Sequence, residues 1–265
     1  MNNIVNRIIR LIFNPEYRKR HYELKRLKSH RRYSPTTTML LSHKLCIPDT
    51  ASFLSAYKEI FEHEIYKFVS SSDSPIIIDC GANIGLSVIY FKQIYPGAKI
   101  IAFEPDVDIF NILQENLKSF NYTDVVCINK ALWDEETELD FYQEGSDGGS
   151  LIEAIDGSVV KKIRTCLLSA YLKEDIDFLK VDIEGAEIRV LNEVKNLLGK
   201  VNYLFVEFHS FANKPQELSL LLDILKASKF RYYMYTLGLP SHSPFIDNKN
   251  FIDKEFLCNI FAYRN

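Results

Sequence analysis
Between Pro75 and Asp106 the chain alternates apolar runs with polar stops. Ile76, Ile77 and Ile78 run into Asp79, small residues follow at Gly81, Ala82 and Gly85, and Leu86, Ile89, Tyr90 and Ile94 then recur at helical spacing. Tyr95, Pro96 and Gly97 break that helix, and a second apolar run, Ile100 to Phe103, ends on Glu104. Strand, glycine turn, helix and strand within about 30 residues predict one βαβ unit.

The pattern continues on both sides. A helix capped by Asp49 or Thr50 is expected to carry Phe53, Tyr57, Phe61 and Ile65 as an inward stripe. Another is expected from Pro105-Asp106 to about Ser119. Val125 to Ile128 predicts a strand, as do Thr137 to Tyr142, Val159 to Leu167, Phe178 to Val181 and Tyr203 to Phe208. Helices are expected from Glu184 to Leu198 and from Glu217 to Ser228, and strands again at Phe230 to Thr236 and Phe256 to Tyr263. Ser34 to Leu45 reads as a linker. Strands alternating with helices predict an α/β fold, a doubly wound and mostly parallel sheet of Rossmann-like kind.

Composition adds a division of the chain. Residues 1–33 hold ten Lys and Arg against two Glu, a formal +8, although the whole chain of 265 residues carries −3. Ile4, Val5, Ile8, Ile9 and Ile12 share one face of a predicted helix, with Asn6, Arg7 and Arg10 on the other. The expectation is a basic amphipathic extension over residues 1–46 and one large domain over 47–265. Such a helix either lies on an anionic membrane surface or packs on its own domain or a partner. No aromatic or groove-reading motif accompanies the charge, so nucleic acid is not expected. No apolar run approaches the ~18 residues of a membrane span. Five scattered cysteines without a C-x-x-C pair read as buried thiols in a reducing compartment. The expected location is cytoplasmic, with peripheral contact at the inner membrane face through residues 1–33 as the variant.

The glycine turn carries the chemistry. Glycines let a ligand approach the backbone, and free amides at a helix start can meet a polar ligand group. A carboxylate at the end of the second strand, Glu104, can accept hydrogen bonds from both hydroxyls of a ribose. The turn Asp79-Cys80-Gly81-Ala82-Asn83-Ile84-Gly85 has the spacing D-x-G-x-N-x-G, not the dinucleotide spacing G-x-G-x-x-G. Asp79 would repel a pyrophosphate and suit a sulfonium and an ammonium, the charges of S-adenosylmethionine. Asp79, Glu104, Asp182 and Glu207 all stand at predicted strand ends, and in an open α/β sheet ligands bind outside those ends. Asp182, Glu207 and His209 are the candidates to take a proton from an acceptor. Glu207 and His209, two apart on an extended segment, face the same side. Glu187 is expected to complement a helix N-terminus. The same three candidates could hold a divalent metal, though their spacing is not that of a tight ligand set. The glycine-rich segment 145–150 and the long segment 237–255, with His242 and Phe245, are candidate acceptor loops. The rivals to methyl transfer are an NAD-dependent oxidoreductase and a non-catalytic interaction module.

Together the segments IIIDCGANIG, IIAFEPD, NKALWD, DFLKVDIEGAE and YLFVEFH resemble the FkbM-type family of class I S-adenosylmethionine-dependent methyltransferases, over roughly residues 47–263. The resemblance implies a seven-stranded sheet whose last strand runs antiparallel. It implies O-methylation of a hydroxyl on a glycan, lipid-linked saccharide or secondary metabolite. Carried over, Gly81, Ala82, Asn83 and Gly85 would wrap the methionine part of the cofactor. Glu104 would hold the ribose, Pro105 and Asp106 would flank the adenosine, and Lys130, Ala131 and Leu132 would border the adenine. Asp182 would stand between cofactor and acceptor.

Overall fold
A computed structural model describes residues 10, 12–143, 149–150, 159–211, 214–236 and 254–264. Helix α1 (Pro15–Lys28) precedes strands β1 (Thr36–Thr38) and β2 (Leu45–Ile47) and helix α2 (Thr50–Tyr57), which continues as a π-helical turn, Lys58–Glu62. Strand β3 (Ile76–Cys80), helix α3 (Leu86–Ile94), β4 (Lys99–Phe103), α4 (Val107–Ser119) and β5 (Val126–Ile128) follow. Next come β6 (Ala131–Trp133), β7 (Glu138–Gln143), β8 (Gly149–Ser150) and β9 (Val159–Leu167), then β10 (Ile176–Val181) and α5 (Glu187–Glu193). The chain closes through β11 (Val201–Phe211), α6 (Leu218–Ala227), β12 (Arg231–Thr236) and β13 (Lys254–Tyr263).

Seven strands form the main sheet in the order β12-β13-β11-β10-β3-β4-β5. Pairing is parallel from β11 to β5, while β13 runs antiparallel to both β11 and β12. The expected α/β sheet with an antiparallel last strand is therefore present. The continuous apolar reading of β3 has a cause: Ile77 and Ile78 are both fully buried, because helices cover both faces. Val190, Leu191, Leu221 and Leu225 of α5 and α6 pack on one face. Leu27, Phe53, Val88, Ile89 and Leu113 of α1 to α4 pack on the other. Helix α4 starts where its sequence says it should, with Asp106 accepting from the amides of Asp108 (2.8 Å) and Ile109 (3.3 Å). Asp49 caps α2 in the same way through the Ser52 amide, at 3.3 Å.

Several expectations change. Residues 34–45 are not a plain linker, since β1 and β2 pair as an antiparallel hairpin. Strand β11 extends past Phe208, so His209 lies inside it rather than beyond it. Helix α5 stops at Glu193, short of Leu198. A second sheet, β6-β9-β7-β8, stands beside the first and carries Ala131, Leu132 and Phe141. The division at residue 46 is one of composition, not packing. Asn116 of α4 bonds both backbone groups of Cys46, at 2.7 and 3.2 Å, and Leu27 is fully buried in the main core. Thus the described part of the basic extension packs on its own domain. Its apolar positions Ile4, Val5, Ile8 and Ile9 lie outside the described residues, as do segment 145–148 and residues 237–253 with His242 and Phe245. Among the described residues no helix is long and apolar enough to cross a membrane.

Candidate active site
The parallel strands bring three acids to one level. Register pairs Cys80 with Phe103 and Val181 with both Cys80 and Val206, so Glu104, Asp182 and Glu207, each one residue further on, stand in one row, while Asp79 pairs with Lys180 inside β3, two residues behind it. Two cavities open along that row. One, of about 90 Å³, is walled by Gly81, Asn83, Glu104, Pro105, Asp106, Lys130, Ala131, Leu132 and Asp182, with the apolar surfaces of Phe103, Ile109, Phe141 and Ile183. The other, of about 700 Å³, lies under α2 and the π-helical turn and is walled by Ala82, Lys180 and Glu207 among others. Gly81, Asn83, Asp182 and Glu184 line both, so the cavities meet at the end of β10.

The turn after β3 has the conformation its glycines suggest. Gly81 has φ +90° and Asn83 φ +49°. A Cβ at Gly81 would sit 1.8 Å from the Asp182 carbonyl oxygen, so no side chain fits between β3 and β10 there. Gly85 (φ +93°) lines neither cavity. It is the left-handed entry to α3, and a Cβ there would meet Leu113 of α4 at 2.7 Å. Its expected place against a methionine group is therefore corrected: what Gly85 allows is close helix packing.

Asp79 also moves off the cavity wall. It is fully buried, accepts a short hydrogen bond from Ser87 and pairs with Lys180 at 3.2 Å. A carboxylate so enclosed stabilises the turn from within and does not face a ligand. Its partner Lys180 was not singled out from the sequence. The Lys180 ammonium donates to the Gly81 carbonyl at 2.7 Å and pairs with Asp182 at 3.3 Å. Burial opposes its charge, but Asp79 and then Asp182 outweigh burial and hold the ammonium well above its usual range. An alternating strand that places a lysine and an acid two apart, as Lys180 and Asp182 are, was the available signal.

Glu104 lines the small cavity and also organises it. Its Oε2 accepts from the Asn83 amide and its Oε1 from the Asp106 amide, both at 2.9 Å. Asn129, also missed from the sequence, donates to the Glu104 and Pro105 carbonyls at 2.8 and 2.9 Å and closes the loop behind. Burial pushes the Glu104 carboxyl up to about 8, from an ordinary 4.5. A raised carboxyl adds stability below pH 4.5 and loses it as pH rises towards 8. A ligand that donates hydroxyl hydrogens to this carboxylate must reverse that shift. Binding of such a ligand at pH 7 is thus expected to release protons, and its affinity should rise as pH increases through this range. Glu104→Gln should abolish the proton release and weaken binding by roughly 10- to 100-fold. Calorimetry in two buffers of different ionisation enthalpy checks both.

The three proton-acceptor candidates converge: ligand atoms of Asp182, Glu207 and His209 lie within 4.8 Å of one another. Their states differ. His209 is almost fully enclosed, with Nδ1 at 3.0 Å from Glu187 and Nε2 at 3.2 Å from Glu184. Burial works against its charge, but Glu187 and then Glu184 raise it to about 10. An imidazolium with both nitrogens engaged takes no proton near neutrality, so His209 is corrected from candidate base to buried cation. Glu187 fills its expected place and one more. It accepts from the Ile183 and Gly185 amides ahead of α5, at 3.3 and 2.9 Å, while holding His209. Glu207 is pushed up to about 8, by burial first and then by Asp182. It faces the larger cavity and titrates where a general base is useful. A wider groove of about 1040 Å³ between α5, α6 and the end of β11 is lined by none of Asp79, Glu104, Asp182 and Glu207.

Residues 79–232 match the methyltransferase FkbM domain family. Methyltransferase sdnD of Sordaria araneosa is 32% identical over 174 residues, which cover 52% of this chain and 67% of that protein. The 2-O-methyltransferase NoeI of Sinorhizobium fredii is 25% identical over 174 residues, covering 57% of this chain and 71% of that one. A crystal structure of methyltransferase FkbM from Methylobacillus flagellatus aligns with a TM-score of 0.48 at 19% identity, covering 74% of this chain and 45% of its own.

Proposed function
The chain belongs to the FkbM methyltransferase family, and from that premise we propose that it is an S-adenosylmethionine-dependent O-methyltransferase acting on a hydroxyl of a glycan, lipid-linked saccharide or related metabolite. The observation that carries the proposal is the pair of cavities meeting at Asp182. One offers a ribose acceptor, Glu104, beside apolar walls for a base, and the other offers room and a base of suitable strength, Glu207.

The residues fit the donor. Phe103, Ile109, Leu132 and Phe141 provide apolar surface for an adenine, and Glu104 faces the space between them and the glycine turn. The carboxylates of Asp182 and Glu207 favour a sulfonium and an ammonium at the junction. When bound, S-adenosylmethionine supplies a methyl group already activated by its sulfonium. The chain's own task is then alignment and removal of one proton. Gly81 lets the backbone come close. Lys180 holds Asp182 at 3.3 Å and ties β10 to the turn through the Gly81 carbonyl. Glu207 accepts the hydroxyl proton as the acceptor oxygen is methylated, and His209, with Nε2 3.7 Å from its Oε1, keeps the carboxylate form within reach.

Glu207→Gln, which retains shape and removes the base, is expected to lower turnover by about 10² to 10⁴, well beyond the weakening of donor binding that loss of its charge brings. In the wild type, kcat/KM for acceptor at saturating donor should rise with pH and level off, with a midpoint at or below about 8, since a cationic donor favours the carboxylate. Wild-type turnover in the variant, or a profile that falls with pH over this range, would remove Glu207 from the mechanism.

A further inference from the structure
The larger cavity carries a charge imbalance that the proposed donor leaves in place. Its wall holds Glu59, Asp182, Glu184 and Glu207 against Arg32 and Lys180. Both cations already face carboxylates: Arg32 pairs with fully buried Asp49 at 2.7 Å, and Lys180 with Asp79 and Asp182. His209 behind the wall is held by Glu184 and Glu187. Among the described residues, three cations thus stand among seven carboxylates. A donor with a sulfonium, an ammonium and a carboxylate adds a single net positive charge, so the acceptor side stays negative even with a proton on Glu207.

Glu59 has no part in the mechanism above. It sits on the π-helical turn Lys58–Glu62, a rare conformation that shifts the side chains following α2 out of α-helical phase. The half-buried carboxyl lines the same cavity as Asp182. Burial first, and Asp182 next, push it above its ordinary value. Around it lie Ser52 and Ser55, with Phe53, Ile60 and Tyr66, a mixture of hydroxyl and apolar surface that suits a polyol ring.

Resting on the methyltransferase reading, we propose that the acceptor is a polyol without negative charge, taken most readily when it bears an ammonium group, and that Glu59 sets this preference by receiving the acceptor's donors and repelling acids. Acceptors should rank as amino-bearing, then neutral, then acidic.

The test supplies methyl-labelled S-adenosylmethionine to the full chain with an extract of the producing organism, separated into cationic, neutral and anionic fractions. Label is expected in the cationic and neutral fractions. Glu59→Gln should reduce the cationic-to-neutral ratio at least tenfold through KM, at unchanged donor affinity. Glu59→Lys should move label towards the anionic fraction, a change that a merely structural Glu59 would not produce. Label confined to anionic acceptors, ratios unmoved by either variant, or donor binding without transfer to any fraction would each overturn the proposal. Absence of donor binding in calorimetry would instead defeat the methyltransferase reading itself.

Discussion

Gly81→Ala is expected to abolish cofactor binding and to destabilise the fold by at least about 3 kcal/mol. The added Cβ would lie 1.8 Å from the Asp182 carbonyl oxygen and 3.0 Å from its carbon, both backbone atoms that no rotamer change can clear. The φ of +90° adds strain for any residue with a Cβ. Relief requires β3 and β10 to part where the Asp182 amide donates to the Cys80 carbonyl at 3.0 Å. The displaced parts are therefore the turn and the acid at the junction of the cavities. Gly199→Ala is the control, since nothing lies within 4 Å of a Cβ there, and its effect should stay within about 0.5 kcal/mol. Urea unfolding and calorimetric titration with S-adenosylmethionine read both variants. A Gly81→Ala protein with wild-type affinity would show that the turn is not the cradle.

Lys180→Met is expected to cost about 3–5 kcal/mol of stability, the range for removing one partner of a buried ion pair. Asp79 has no exposed surface and would keep only Ser87 as a partner. The Gly81 carbonyl would lose its 2.7 Å bond at the same time. Adding Asp79→Asn removes the stranded charge, so the double variant should be more stable than Lys180→Met alone, and a double-mutant cycle by urea unfolding measures the coupling. Additive effects would mean that the pair does not form. The cycle also bears on function, because Lys180 is the link between the glycine turn and Asp182.

How much of this was readable beforehand follows from local physics. The unit from β3 to β4 was legible because strands covered on both faces must be apolar throughout, and because a turn that admits no Cβ must use glycine. Glu104, Asp182 and Glu207 were legible as one row because each apolar run stops on an acid, but the same rule misplaces Asp79, which the register sets two residues further in. The destinations of the carboxylates were not. Asp79 and Glu104 look alike in sequence, yet one is enclosed by Lys180 and Ser87 while the other lines a cavity. His209 was read as a base because its two nearest carboxylates, Glu184 and Glu187, arrive from the preceding strand–helix turn, where Glu184 adopts φ +53°. Glu59 escaped notice because an i, i+4 count through Phe53, Tyr57 and Phe61 assumes an unbroken α-helix, and the π-helical turn changes the phase. The hairpin of β1 and β2 has only three residues in each strand, too few for alternation to show.

The central claim is that a cationic nucleoside donor lies along the row of strand-end acids. A crystal structure of the protein soaked with S-adenosylmethionine tests it most directly. The account predicts the ribose hydroxyls on Glu104, the base among Ile109, Leu132 and Phe141, and the sulfur beside Asp182. Density for the donor in the groove between α5 and α6, or a ribose away from Glu104, would contradict it.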